Sequence, residues 1–272
     1  EVTKLLHSIH AYFPSRPDME ITMEMNPGSL STAELDGYRN AGVNRLSIGA
    51  QSFHAETLQT LGRVHDADQI RKTVSAARKA GMDNINLDLM YGLPGQNLAH
   101  AAEDLEQALL LDPEHLSYYQ LTLEPNTFFH KHPPQLPDES LIQDIEDSSR
   151  EKLDMAGYQR YEVSAYAREN KACRHNINYW SFGDYIGVGA GAHGKLSQRD
   201  GVNRSVRIKS PQSYMEMCEQ NQFLWPENQL SDEDIFFEFL LNALRLQNGI
   251  AQNLFNERTG LDLNHFADKM RV

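Results

Sequence analysis

Three times the chain repeats one junction: Ala41-Gly42-Val43-Asn44-Arg45, Ala80-Gly81-Met82-Asp83-Asn84 and Ala156-Gly157-Tyr158-Gln159-Arg160. Each is a helix end with glycine just past it, then one apolar residue, a polar pair and a strand. Repeated helix-to-strand joints of this kind imply a parallel sheet with helices packed on it. About five strands are expected, at Glu20–Met25, Asn44–Ile48, from Asn84, at His115–Leu123 and at Arg160–Ser164. No Gly-x-Gly-x-x-Gly follows the first of them, which favours an open or closed (β/α) barrel over a dinucleotide-binding sheet.

The strand that begins at Asn84 is the most sharply written. Ile85, Leu87 and Leu89 alternate with Asn86, Asp88 and Met90, and Gly92, Pro94 and Gly95 then stop the run before a helix over Leu98–Leu111. Asp88 therefore lies near the C-terminal end of its strand, the end that carries ligands in parallel α/β folds. An ionised carboxylate there needs a partner. A ligand hydroxyl or ammonium is one, and a neighbouring backbone group is the structural alternative. Upstream, Ser31 and Glu34 form a capping box for a helix to Ala41. The character changes after 208, where Ser231-Asp232-Glu233-Asp234 caps an apolar helix over Ile235–Leu246, and Gly249 and Gly260 punctuate two further pieces. The expected division is a barrel core over 1–208 and a small helical domain over 209–272.

Composition narrows the partners. The net charge of −13, from 38 acids and 25 bases, argues against nucleic-acid binding and against docking on an anionic membrane by charge. No run of about eighteen apolar residues is present, so no spanning helix is expected. Cys173 and Cys218 are too few for a disulfide framework, which points to a reducing, cytoplasmic setting. Cys218 is expected in the core on an apolar helical face, and His130 and His132, in a proline-rich loop over 124–137, are expected to be solvated. The chain opens Glu1-Val2-Thr3-Lys4 inside an amphipathic helix with Leu5, Leu6 and Ile9, so a missing beginning is expected, and a truncated end as well.

Several motifs now agree in order and spacing. Glu24-Met25-Asn26-Pro27-Gly28, Gly42 through Phe53, Leu61-Gly62-Arg63 and Asp88 through Gln96 resemble the radical S-adenosylmethionine (SAM) family around oxygen-independent coproporphyrinogen III dehydrogenase. Cys173-Arg174-His175-Asn176-Ile177-Asn178-Tyr179-Trp180 resembles the His-Asn-x-x-Tyr-Trp motif of the HemW-type heme chaperones within it. The resemblance implies an open (β/α) barrel, incomplete at its N-terminus, with a small helical or winged C-terminal domain. It implies a [4Fe–4S] cluster held by a Cys-x-x-x-Cys-x-x-Cys loop, absent from this chain and expected upstream of Glu1, with SAM beside it. The SAM contacts it implies are Glu24, Gln51, Arg63 and Asp88, with Thr122 and His193 on the adenine side. Carboxylates and an amide suit ribose hydroxyls and an ammonium, and a guanidinium fork suits a carboxylate. Glycines over Gly187–Gly194 suit a close approach of backbone to a ligand.

For heme, the resemblance implies contacts at His175, Asn176, Tyr179 and Trp180, with the His175 imidazole as iron ligand and His193 as the alternative. The expected function is a heme chaperone that passes heme to an acceptor protein. The alternative is the oxidative decarboxylation of coproporphyrinogen III, and a third is a generic barrel enzyme with Glu24 and Asp88 as acid and base. Two cysteines cannot supply three thiolates, so this chain alone is expected to take up no cluster on anaerobic reconstitution. Iron and sulfide analysis that finds about four irons per chain overturns this expectation.

Overall fold

A computed structural model describes residues 1–13, 16, 18–198, 201–220, 222 and 230–270. The chain forms two compact units, Glu1–Ala172 and Cys173–Val272. The change of composition at 209 lies inside the second of them.

In the first unit, α1 (Val2–Tyr12), β1 (Thr22–Met25), α2 (Thr32–Ala41), β2 (Arg45–Gln51), α3 (Ala55–Thr60), α4 (Ala67–Lys79), β3 (Ile85–Tyr91), α5 (Leu98–Leu110) and β4 (His115–Gln120) follow one another. Then come α6 (Phe128–Lys131), α7 (Glu139–Met155), β5 (Gln159–Glu162) and β6 (Ala165–Ala167). The sheet runs β1-β2-β3-β4-β6-β5, and its first four strands are parallel and in sequence order. Each strand is laid beside its predecessor by helices, as in the wall of a (β/α) barrel. The repeated glycines do what the junction requires: Gly42, Gly81 and Gly157 take φ of +113°, +77° and +83°.

The expected single strand over Arg160–Ser164 is corrected to a hairpin, antiparallel within itself and antiparallel to β4. Local bonds reverse the chain there. The Arg160 guanidinium donates to the Val163 carbonyl (Nη2 at 2.6 Å), and the Ser164 N–H donates to the Glu162 carboxylate at 3.1 Å. A segment turned so early cannot make another parallel crossover, and β6 instead covers the edge of β4.

The two-residue period of the strands sorts the side chains. Leu46, Ile48 and Ala50 of β2, Ile85, Leu87 and Leu89 of β3, and Leu116 and Tyr118 of β4 are buried in one core. Leu35, Ile70, Val74, Leu105, Ile145 and Leu153 meet them from α2, α4, α5 and α7. The alternate residues are polar. The register sets Glu24 beside Ser47, Asn86 beside Ser47 and His115, and Asp88 beside Ser117. The sheet is apolar towards its helices and polar on its other face.

The second unit holds α8 (Arg174–Trp180), an antiparallel pair β7 (His193–Gln198) and β8 (Gly201–Val206), then α9 (Pro211–Glu219), α10 (Asp232–Ala243), α11 (Asn253–Thr259) and a 3₁₀ turn at Leu263–Met270. Ser231 caps α10 as expected, with Asp234 closing the box. The core is aromatic, built on Phe182, Phe236, Phe239, Phe255 and Phe266. Cys218 does not join it: the residue is only partly buried, on a helix α9 that buries none of its residues, because the apolar positions of that helix are too sparse to form a core stripe.

Lys195 is 1 % exposed, yet fully bonded. Its Nζ donates to the Phe182 carbonyl (2.9 Å), Asp184 Oδ1 (3.0 Å) and Ser197 Oγ (3.1 Å), over the face of the Phe182 ring. Burial acts to raise the Asp184 carboxyl, but Lys195 and Ser197 outweigh it and hold the pKa below its ordinary value. A depressed carboxyl stabilises above the unfolded pKa and loses that contribution as pH falls through the folded one. Lys195→Met is expected to cost about 2–4 kcal/mol in urea unfolding near neutral pH. The gap to wild type is expected to narrow in acid.

Candidate functional site

The site begins at an irregularity in β2. Leu46, Ser47 and Ile48 pair in step with Ile85, Asn86 and Leu87, but the next partner of Leu89 is Gln51, so β2 carries an extra residue. Gln51 takes φ +67°, a conformation that residues with side chains seldom adopt. The turn is held from behind by Asp104 of α5, 1 % exposed. Asp104 accepts from the Ser52 hydroxyl (2.8 Å to Oδ2) and the Phe53 N–H (2.5 Å). Burial pushes its carboxyl up, and those two donors and nearby His54 and His100 oppose the rise. From the front, the Tyr119 hydroxyl donates to Gln51 Oε1 at 2.9 Å. Burial and the charge of Asp88 push that phenol up to about 12, so it stays a donor.

The bulge opens a cavity of about 250 Å³ at the strand ends. Glu24 and Asn26 line it from β1 and the residue that follows, Ser47, Gly49 and Gln51 from β2, Asp88 from β3, and Arg63 from the connection between α3 and α4. Arg63 Nη1 donates to Asn26 Oδ1 at 3.3 Å. Gly49 is there for room: a Cβ on it would come 3.0 Å from Gln51 Nε2 and 3.5 Å from Asn26 Oδ1.

Asp88 is held by side chains of its own strand and of neighbouring β2. Asn86 Nδ2 donates to its Oδ1 at 2.7 Å and Ser47 Oγ to its Oδ2 at 3.3 Å. Burial raises the Asp88 carboxyl above its ordinary range; Asn86, Ser117 and Ser47 pull it back, and the charge of Glu24 adds to the rise. Two carboxylates, a guanidinium and two amides around one polar cavity can grip a molecule that carries a cation, an anion and hydroxyls together. Among the described residues no group of three His, Cys, Asp or Glu side chains could hold a metal.

Glu24, Gln51, Arg63 and Asp88 thus converge in one cavity. Thr122 does not line it; it is exposed and donates to Glu124 Oε1 at 3.1 Å. His193 belongs to the second unit, where it lines a cavity of about 390 Å³ with Tyr179, Tyr185, Arg204, Glu238 and Leu241. Helical spacing divides the motif over 175–180. His175 and Tyr179, four apart, share one face of α8, with ring centres 6.3 Å apart, and Tyr179 continues to Tyr185 at 5.3 Å. Asn176 and Trp180 share the next face, and Trp180 lies under the Arg245 guanidinium at 4.3 Å. Arg204 pairs with Glu238 and donates to the Tyr185 hydroxyl at 2.9 Å.

Sequence reasoning passed over Asn26, Ser47, Gly49, Asn86 and Tyr119. Asn86 left a signal, since it stands two residues from Asp88 and so on the same strand face. Ser47 and Tyr119 left none, because only strand register brings them to the site.

Residues 2–108 match the radical SAM superfamily model. The chain is 43% identical to the heme chaperone HemW of Haemophilus influenzae over 96% of its own length and 67% of that protein. It is 45% identical to the HemW of Escherichia coli over 94% and 67%, and 34% identical to that of Bacillus subtilis over 97% and 70%. The chain spans about two thirds of the length of these relatives. The structure of E. coli coproporphyrinogen III oxidase, a radical SAM enzyme, superposes with a TM-score of 0.81 at 22% identity, covering 99% of this chain and 65% of the other. The fold is therefore that of the radical SAM barrel. Among the described residues no helix is long and apolar enough to cross a membrane.

A raised carboxyl destabilises the folded state once ionised. Stability falls as pH rises through the Asp88 value. Asp88→Asn is therefore expected to stabilise the chain by up to about 1 kcal/mol near neutral pH, with a smaller gain in acid, as read by urea unfolding at several pH values.

Proposed function

The chain belongs to the HemW family of radical SAM proteins, and on that premise we propose that it is a heme chaperone, binding SAM in the cavity of its first unit and heme on its second, and passing heme to an acceptor protein. One observation carries the SAM assignment: Glu24, Gln51, Arg63 and Asp88, far apart in sequence, line a single polar cavity. The donor set fits that ligand. Arg63 faces a carboxylate, Glu24 and Asp88 take an ammonium or ribose hydroxyls, and the Gln51 amide, turned inward by the bulge, adds a donor and an acceptor. SAM bound to a reduced iron–sulfur cluster is a source of radical chemistry in this superfamily. The two cysteines of this chain, Cys173 and Cys218, do not fit a cluster that needs three thiolates.

Heme fits the second unit. His175 is exposed and offers an imidazole, Tyr179 and Tyr185 offer flat surfaces, and His193 borders the same cavity as both tyrosines. Asn176 and Trp180 lie on the adjoining face of α8, with Trp180 under the Arg245 guanidinium. The chaperone is preferred to coproporphyrinogen decarboxylation because the relatives at 34–45% identity are named heme chaperones, whereas the oxidase shares the fold at 22%. The two cysteines and the net charge of −13 support a cytoplasmic setting and argue against nucleic-acid partners.

In the full-length protein, Arg63→Ala and Asp88→Ala are each expected to weaken SAM by about 1–3 kcal/mol in calorimetric titration. Gly49→Ala, which crowds Gln51 without touching a charge, is expected to weaken it with the fold intact by circular dichroism. Unchanged affinity in all three removes the SAM site. For heme, His175→Ala is expected to shift or abolish the Soret band on titration, and Tyr179→Ala/Trp180→Ala to weaken binding. Heme bound to His175→Ala with an unaltered spectrum excludes His175 as the ligand.

A further inference from the structure

Behind Asp88, on the polar face of the sheet, lies a buried chain of hydrogen bonds whose direction can be worked out atom by atom. Asn86 is 2 % exposed and His115 0 %. Asn86 Oδ1 lies 3.0 Å from the Ser117 backbone N, 3.1 Å from Ser117 Oγ and 2.6 Å from His115 Nδ1. A backbone N–H only donates, so the oxygen end of the amide must face Ser117, and the flip of Asn86 is decided. An amide oxygen only accepts, so His115 carries its proton on Nδ1. Its Nε2 then accepts from the Tyr161 hydroxyl at 2.8 Å.

The other end of the amide is equally committed. Asn86 Nδ2 donates one hydrogen to Asp88 Oδ1 at 2.7 Å and the other to Ser47 Oγ at 2.8 Å. Ser47 Oγ, having accepted there, turns its single proton to Asp88 Oδ2 at 3.3 Å. Every proton from Tyr161 through His115 and Asn86 therefore points towards Asp88, and both carboxylate oxygens receive a donor from the interior. We infer that Asn86 is a positioning residue for Asp88, oriented by the Nδ1–H tautomer of His115, and that it holds the carboxylate ionised and aimed into the cavity for a cationic or hydroxylic group of the ligand. This rests on the SAM assignment of that cavity.

The surroundings explain why such a device is needed. Asp88 sits under burial and faces Glu24 from β1, both of which favour its neutral form, with Arg63 lining the same cavity and Tyr119 nearby on β4. Donors that satisfy only the ionised oxygens oppose that pressure. At the far end, burial and the charge of Arg45 on β2 push His115 down to about 3, and Tyr161 from the strand β5 is its other neighbour. His115 therefore stays neutral across the working pH range, and its tautomer does not change.

The experiment follows the Asp88 carboxyl carbon by NMR across pH, in parallel with calorimetric titration of SAM, on the full-length protein. In Asn86→Leu the protonation of Asp88 is expected to move to higher pH, and SAM affinity near neutral pH to fall roughly tenfold, recovering as pH rises. His115→Asn can return a donor to the position of Nδ1 and is expected to keep wild-type titration. His115→Gln reaches only the position of Nε2 and is expected to behave as His115→Leu does. An unchanged Asp88 titration in Asn86→Leu, or equal rescue by His115→Gln and His115→Asn, overturns the inference. Should Asn86→Leu not fold, imidazole ¹⁵N shifts of the wild-type protein decide: an Nε2–H tautomer at His115 overturns it as well. If the titration moves in Asn86→Leu while SAM affinity is unchanged in every variant, Asp88→Asn included, positioning stands and the SAM assignment falls.

Discussion

The two-residue period of four parallel strands governs this molecule. With helices on one side only, each strand sends its aliphatic residues towards them and must send something else to the other face. Leu87 and Leu89 go to the core, while Asn86 and Asp88 go to the polar face. A fully filled small barrel would place apolar branched residues there. Here that face carries Glu24, Ser47, Asn86, Asp88 and His115; Glu24 is exposed and Asp88 half-buried, and the buried members, Ser47, Asn86 and His115, are tolerated only if nearly every polar atom finds a partner. The hydrogen-bond chain from Tyr161 to Asp88 is how that requirement is met, and it couples the stability of the sheet to the readiness of the site.

The site also depends on one irregularity. The extra residue in β2 sets Gln51 opposite Leu89 and gives it a backbone of positive φ at the cavity wall. The unusual backbone at Gln51 is offset by Asp104, which ties Ser52 and Phe53 to α5, and by Tyr119, which holds the amide itself. Gly49 leaves the space into which that amide fits. Backbone strain, a buried acid and a missing side chain thus act together on a single cavity wall.

The second unit works by the other period. Four-residue spacing on α8 places His175 with Tyr179, and Asn176 with Trp180. His175 is exposed and Tyr179 half-buried, while Trp180 packs against Arg245. A short helix could not hold these side chains in place alone. The aromatic core around Phe182 and Phe239, with Lys195 bonded inside it, supplies the rigid base.

Much of the fold was legible in the chain because it rests on local rules. Helix ends at Gly42, Gly81 and Gly157, capping boxes at Ser31 and Ser231, and the alternation in β3 are written within a few residues and need no distant partner. Asp88 was legible for the same reason, and Glu24, Gln51 and Arg63 through motif resemblance. The hairpin of β5 and β6 was not, since side-chain bonds to the turn carbonyl and N–H decide it and leave no periodic trace. Nor were the partners of Asp88. Ser47 comes from β2, Ser117 and His115 from β4 and Tyr161 from β5, and only strand pairing brings this network together behind Asp88. A sequence specifies which face a side chain takes; which other side chains share that face is decided when the strands pair, because hydrogen-bond register is a relation between segments and belongs to neither alone.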